Sequence, residues 1–409
     1  MAWKRGSCAW APDGSYFAWS CGNRYIQLIP WDRENGHLTL KAKIQNGQLN
    51  CPHRVSNEHC EACAQERGQP SNAAETLYKK YEDLPLHVID CGDYVWSITF
   101  GSGTSYEENL STMRQRRRLR FDKDLIVATG LQSGKIKLWN CLTGKIILEL
   151  LDHKDIVRSL SFTRDGSLIL CSASRDGTFK LWDLNDDGNM FKTLRTKGKW
   201  NYSCNWSPNS ELLALSGNSK SIAICNVKKN YHIKELTGHY HDIVCCEFSP
   251  DGALVATASY DTKVIIWDPY TCDSLLELGH LFPPPRPIFA GGANDHYVRG
   301  ISFSSDGMHL VSISDDGYVR YWNLENTSNP EQIAEYSNAL CCSVSHNGHS
   351  IAVGDRNGDV KFYNPRQKVP SLQHFSRMAI RKCLDSTCID HLHLPIRLKE
   401  YLKYHPFSI

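Results

Sequence analysis

The chain has 409 residues, with 46 Lys+Arg against 44 Asp+Glu and a formal net charge of +2, so no overall field draws it to nucleic acid or an anionic membrane. Its 41% hydrophobic and 22% charged residues are those of a globular chain, and no stretch reaches the ~18 uninterrupted apolar residues of a membrane span. No secretory apolar core follows Met1-Ala2-Trp3-Lys4-Arg5-Gly6-Ser7, which predicts an intracellular protein, cytoplasmic or nuclear, with reduced cysteines. Cys171, Cys204, Cys245, Cys246, Cys341 and Cys342 sit in apolar strand contexts, where a thiol behaves as a small core hydrophobe.

The first element is an apolar run broken by the turn Ala11-Pro12-Asp13-Gly14 and ending at Trp31-Asp32. A second unit begins at Asp93-Tyr94-Val95-Trp96 and ends at Trp139. Five more follow, anchored at Trp182, Cys225, Trp267, Trp322 and Tyr363, with steps from Trp139 of 43, 43, 42, 55 and 41 residues. The clearest copy runs Val244-Cys245-Cys246-Glu247-Phe248, then Ser249-Pro250-Asp251-Gly252, then Val264-Ile265-Ile266-Trp267-Asp268. Pro fixes φ, Asp bonds its own backbone and Gly tolerates positive φ, which together make a tight hairpin. The period matches the WD repeat, four strands to a propeller blade, and predicts an all-β, seven-bladed β-propeller over residues 1–364.

WD blades join an Asp, a Ser, the strand-end Trp and an upstream His in a buried polar network. By spacing this assigns Ser174, Asp176 and Trp182 with His153 in blade three, and Ser259, Asp261 and Trp267 with His239 in blade five. In blade six it assigns Ser314, Asp316 and Trp322. These histidines are predicted to be structural, because buried polar groups are satisfied. Blade seven has no evident outermost strand; either Met1 to Arg5 supplies it or that edge is incomplete.

Three insertions interrupt the repeat. Residues 45–90 are predicted to join the outer strand of blade one to the inner strand of blade two, residues 101–122 lie inside blade two, and residues 281–296 precede blade six. The first and third should then emerge on one face and the second on the other, and loops on a rigid scaffold commonly carry recognition. In the third, Leu281-Phe282-Pro283-Pro284-Pro285-Arg286-Pro287-Ile288-Phe289 is a preformed extended loop. Phe282, Arg286 and Phe289 are its candidate substrate contacts, or its aromatics pack over the channel mouth.

Cys51, His53, His59, Cys60 and Cys63 have zinc-ligand chemistry, but their irregular spacing in a polar segment favours a loop without metal. The basic run Arg114 to Arg120 reads as a solvated insertion ahead of an import signal or phosphate patch. The sequence has no phosphate loop, nucleophile elbow or zinc-protease motif, so neither a cofactor nor a catalytic residue is expected.

Past a linker at residues 365–370, Ser371 is a candidate N-cap for a helix with apolar residues at Leu372, Phe375, Ala379, Ile380 and Cys383. Pro395 opens a second, with Leu398, Tyr401 and Leu402 on one face. So short a segment buries little core of its own, so it is either a cap on the propeller or a docking module.

The stretch Ser371 to Ile380 resembles the elongin-binding half of a SOCS box, small/Pro-Leu-x-x-x-Cys-x-x-x-aliphatic, and Leu392 to Leu402 resembles its cullin-5-binding half, Leu-Pro-x-Pro-x-x-Leu-x-x-Tyr-Leu. With the propeller, nearly the whole chain resembles the WD repeat and SOCS box-containing protein family, nearer its first paralogue through the Pro-rich loop. The resemblance implies a non-catalytic substrate-recognition adaptor whose box, residues 371–409, recruits elongin B/C, cullin-5 and a RING protein while the propeller holds a protein substrate for ubiquitination and degradation. It assigns elongin contacts to Leu372, Phe375, Ser376, Ala379 and Ile380, and cullin contacts to Leu394, Pro395, Leu398, Tyr401 and Leu402. The alternative is an interaction scaffold without ligase function, its C-terminal helices only capping the propeller.

Two positions depart from the pattern: Ser376 stands for the Cys and His393 for the first Pro. A hydroxyl buried against elongin without a partner costs ~1–3 kcal/mol, which predicts elongin binding weakened roughly ten- to a hundredfold, yet not abolished.

Overall fold

The computed structural model describes residues 7–20, 23–31, 87–103, 125–280, 297–365 and 370–405. Among the described residues twenty-seven strands form seven antiparallel sheets, six of four strands and one of three. The inner strands of successive sheets touch around a closed ring, and blade one meets both blade two and blade seven. The predicted seven-bladed propeller is therefore the observed fold.

Each blade repeats one local logic. In blade five, Ile243–Phe248 and Val255–Ser259 are joined by Ser249 to Leu254. Ser249 Oγ donates to Asp251 Oδ1 at 2.6 Å, and Gly252 takes the left-handed φ of 71° that closes the hairpin. Blade four lacks this glycine, and Ser210 adopts the same backbone region at φ 56°. Val255, Ala256, Ala258, Val264, Ile265 and Ile266 are buried, so these strands are apolar on both faces because each blade packs between two others.

An inner strand has a free edge toward the channel, and side chains of the preceding blade cap it. Ser159 Oγ accepts from Cys204 N–H, Ser203 Oγ from Cys246 N–H, Asn205 Oδ1 from Phe248 N–H and Ser302 Oγ from Val344 N–H, at 3.0–3.4 Å. This belt satisfies backbone donors that the sheet leaves unpaired.

Ring closure rests on aromatic packing. Trp10 lies 4.3 Å from Trp31 and 4.5 Å from Phe17 between ring centroids, Phe362 of blade seven packs on the same group, and Trp10 Nε1 donates to Ser343 O. Blade seven has three strands among the described residues; Met1 to Arg5 lie outside them.

One boundary differs from expectation. His87–Asp90 pairs antiparallel with Tyr25–Pro30 as the fourth strand of blade one. The first insertion therefore does not connect two blades; it separates the third and fourth strands of one. In a blade that meanders outward, the first-to-second and third-to-fourth connections share a face, here called the lower. The chain thus leaves Trp31 and returns at His87 on the lower face, as it does around the second insertion. The third insertion opens on the opposite, upper face, so the expected pairing of first with third is overturned.

Behind the propeller come α1 (Leu372–Cys383), α2 (Ser386–Asp390) and α3 (Ile396–Leu402). Ser371 caps α1 by accepting from His374 N–H at 3.1 Å, as its sequence position predicts. The short α2, capped by Asp385 accepting from Cys388 N–H at 2.8 Å, has too few residues to leave a periodic signal.

Candidate functional site

The histidine networks come first, because they decide whether any histidine is free for chemistry. In blade three, Asp176 fixes the proton of His153 on Nδ1 at 2.8 Å, and Nε2 then accepts from Ser172 Oγ at 2.7 Å. Trp182 Nε1 donates to the same Ser172 oxygen at 2.8 Å. Blade five repeats this with His239, Asp261, Thr257 and Trp267. Burial, the largest single influence, would raise the carboxyls of Asp176 and Asp261, but the hydrogen bonds and charge of His153 and His239, with the Thr178 hydroxyl at Asp176 and the backbone amides of Lys154, Tyr240 and Lys263, together outweigh it and hold both below the ordinary range. Every ring nitrogen is engaged, so these histidines are structural.

The hydroxyl in each network is ten residues before the Trp, not eight. Ser174 and Ser259 are buried but donate instead to Asp155 O and His241 O, and receive the amides of Asp176 and Asp261. Blade six departs further. His280 bonds Ser312 Oγ at 2.8 Å and Thr262 O at 3.1 Å, and Trp322 donates to Ser312. Asp316 is instead taken by Ser314 and the fully buried Arg320. His280 escapes the spacing rule because the third insertion stands between it and its tryptophan.

The upper mouth of the channel is the second candidate surface. In blades two to seven the inner strand carries a register shift at its upper end, around Trp96, Arg158, Tyr202, Val244, Arg299 and Leu340. Such bulges re-aim one side chain. Arg158 lies over Trp96 and Tyr202, at 5.3 and 4.9 Å from the ring centroids. Arg299 lies over Tyr260 and is paired with Asp315. Phe282, Arg286 and Phe289, the predicted substrate contacts, fall outside the described residues, as do the Cys51–Cys63 cluster and the Arg114–Arg120 run. Among the described residues no His/Cys/Asp/Glu group fits a metal, and no helix is long and apolar enough to cross a membrane.

The third surface is the C-terminal helical unit, which docks on the lower face under blades five and six. His374, Arg377, Met378 and Arg381, at i, i+3, i+4 and i+7, are the face of α1 turned inward. His374 Nε2 bonds Asp306 O at 2.7 Å, and Arg377 Nη2 donates to His374 Nδ1 at 2.7 Å. The Arg377 guanidinium lies between the rings of Tyr401 and Tyr404, at 4.3 and 3.9 Å. Tyr404 OH donates to Asp251 at 2.6 Å. Arg381 donates to Ser386 Oγ at 2.8 Å, and Ser386 in turn donates to the buried Asp268.

That polar seam inverts the usual amphipathic helix. The two arginines and the histidine are buried, while Leu372 is 82% exposed, Phe375 48% and Ile380 37%. Ser376 and Ala379 share the exposed side. Ser376 Oγ donates to Leu372 O at 2.9 Å, so its proton already has an acceptor inside the helix. Around α3, Leu394, Pro395 and Leu398 are exposed, Tyr401 is half-buried under Arg377, and Leu402 is buried. The predicted residues therefore lie on one helical unit, but Leu402 is buried and offers nothing to solvent.

Comparison with known proteins agrees with this division. The SOCS box model matches residues 368–403, and the WD domain, G-beta repeat model matches residues 144–183, 230–268 and 287–323. The chain is 47% identical to human WD repeat and SOCS box-containing protein 1 over 97% of its own length and 90% of that protein's. The Danio rerio protein of the same name is 44% identical over the same shares. A chain in a crystal structure of the mitotic checkpoint complex superposes with a TM-score of 0.61 at 15% identity, covering 90% of this chain and 92% of that one, a likeness of fold.

Proposed function

Since this chain belongs to the WD repeat and SOCS box-containing protein family, we propose that it is the target-recognition subunit of an elongin–cullin ubiquitin ligase. The box recruits elongin B/C through Leu372, Phe375, Ser376, Ala379 and Ile380, and cullin-5 with its RING protein through Leu394, Pro395, Leu398 and Tyr401. Leu402 acts from beneath, holding α3 in place. The propeller receives the target protein inside the cell, on the upper face that carries the bulged side chains. The chain itself makes and breaks no bond. Ubiquitin transfer is accelerated by proximity, as tethering raises the effective concentration of target lysines beside a loaded conjugating enzyme.

One observation carries this reading: α1 turns charge inward and leucine, phenylalanine and isoleucine outward. Leaving such side chains in water forgoes roughly 1.5–3 kcal/mol each, which a covering partner recovers. The scaffold reading draws support from the buried seam, because a cap packs in this way. A cap, however, has no use for the exposed stripe.

Removing the whole box confuses the two readings, since it also strips Asp268 and Asp251 of their partners in the box. Leu372→Asp avoids this, because the side chain touches little of the fold. Wild type should capture elongin B/C in calorimetry and the variant should not, with an unchanged melting temperature. Failure of wild type to bind elongin B/C refutes the ligase assignment.

A further inference from the structure

Trp200 occupies the upper face just before the inner strand of blade four (Asn201–Trp206). Its backbone is wedged between two turns. Asn218 N–H donates to Trp200 O at 2.8 Å, and a Cβ at Gly217 would come within 2.4 Å of that carbonyl. On the other side Gly177, at φ +83°, lies against Lys199 O. The backbone that carries the indole is therefore held by blades three and four together, and Trp200 is partly exposed.

Two cations converge on this ring. Arg175 Cζ lies 4.5 Å from its centroid and Lys199 Nζ 5.7 Å. Among the described residues neither side chain has a salt-bridge partner, whereas nearby carboxylates are committed elsewhere. Asp176 serves His153 and Thr178, and Asp242 accepts from Asn218 at 2.6 Å and from Tyr202 OH. Arg158, between Trp96 and Tyr202, continues the same charge toward the channel. Holding like charges at one ring without a counter-ion is unfavourable, and an added carboxylate relieves it. A rigid tryptophan flanked by arginine is also the composition of an interface anchor.

We infer that the Trp200 platform receives an acidic segment of the target protein, a Glu or Asp carboxylate engaging Arg175 and Lys199 while a neighbouring apolar side chain lies on the indole. This deepens the reading of the propeller as target receiver and rests on it. A peptide fits better than a nucleic acid because Asp242 stands on the same face, and a near-neutral chain gives a polyphosphate no extended basic track.

The test uses the full chain and a fluorescein-labelled peptide alternating Glu and Leu, followed by anisotropy at low salt. Binding should weaken about tenfold in Arg175→Ala and in Lys199→Ala, diminish with added salt, and vanish when Gln replaces Glu in the peptide. Both variants alter side chains outside the core and should keep the wild-type melting temperature. No binding by wild type, or equal binding by the variants, overturns the inference. So does labelled oligothymidylate binding as tightly with the same dependence on Arg175, which would make the platform a nucleic-acid site. Elongin B/C capture is measured on the same samples. If it persists while the peptide fails, this inference alone falls; if wild type captures no elongin, the ligase reading falls.

Discussion

Replacing Ser376 by cysteine measures how much the departure from the box pattern costs. A buried hydroxyl stripped of every partner carries a penalty of ~1–3 kcal/mol. Here the proton is already given to Leu372 O at 2.9 Å, one turn back along α1, and that bond survives when a partner covers the surface. What remains is the smaller difference between burying a satisfied hydroxyl and a thiol, about 1 kcal/mol, or roughly fivefold in affinity. Titration calorimetry of the full chain with elongin B/C should therefore show Ser376→Cys binding two- to tenfold tighter, estimated from that ~1 kcal/mol. Ser376→Ala, which removes both hydroxyl and bond, should fall within about threefold of wild type. A gain near a hundredfold for either variant would refute the retained intrahelical bond. No gain at all for cysteine would mean that position 376 is not covered.

Further outcomes follow from buried groups. Ser172→Ala leaves Trp182 Nε1 and His153 Nε2 without their shared partner and should cost about 2–4 kcal/mol in urea unfolding, more than Ser174→Ala, whose hydroxyl serves backbone groups only; equal losses would contradict the assignment. Burial in the channel wall pushes the Glu247 carboxyl up to about 7, against the partial relief of Arg164, Phe303 N–H and Ser302. A raised acid binds its proton more tightly in the folded state, so stability declines as pH climbs from the ordinary carboxylate range through about 7. Glu247→Gln should accordingly stabilise the fold at pH ~8 by up to roughly 3 kcal/mol, read as a higher melting temperature, and have little effect at pH ~5; a gain independent of pH would exclude titration of this group. Arg381→Ala removes the cation that faces Asp268 through Ser386 in the seam, and hydrogen exchange should quicken in α1 and α2 while the blade cores stay protected. Uniform quickening would mean that the seam supports the whole fold.

The repeat was legible because its anchors are tryptophans at nearly fixed intervals, and tight hairpins admit few residue types. What failed was choice among equivalents. Ser172 and Ser174 share one strand face, so alternation cannot separate them; the register does, pairing Trp182 with Leu170 and leaving Ser172 within diagonal reach of the indole. Near blade one, Leu38, Leu40, Ala42 and Ile44 alternate more cleanly than His87-Val88-Ile89-Asp90, yet the latter is the fourth strand, a pairing made across a long separation in sequence. The stripe on α1 was visible, but its direction was not. Periodicity locates an apolar face, and the usual expectation turns it inward; Arg377 and Arg381 reverse that because Asp268, Ser386 and Tyr404 give their charge a paired interior.

The seam also bears on how a recognition subunit would deliver its target. A box on a flexible linker would sample many orientations, and the effective concentration of target lysines would fall as that volume grew. Here α1 is held at His374, Arg377, Met378 and Arg381 by two blades, and Tyr404 reaches a third contact at Asp251, so bending the box away would expose several buried charges together. Under the ligase reading the direction from propeller to elongin is therefore fixed by the fold. The upper face, with Trp200 and the bulged side chains, lies on the opposite side of the disc from the box. A target gripped there must reach past the rim to meet the loaded enzyme, which favours lysines distant in space from the gripped segment over lysines beside it.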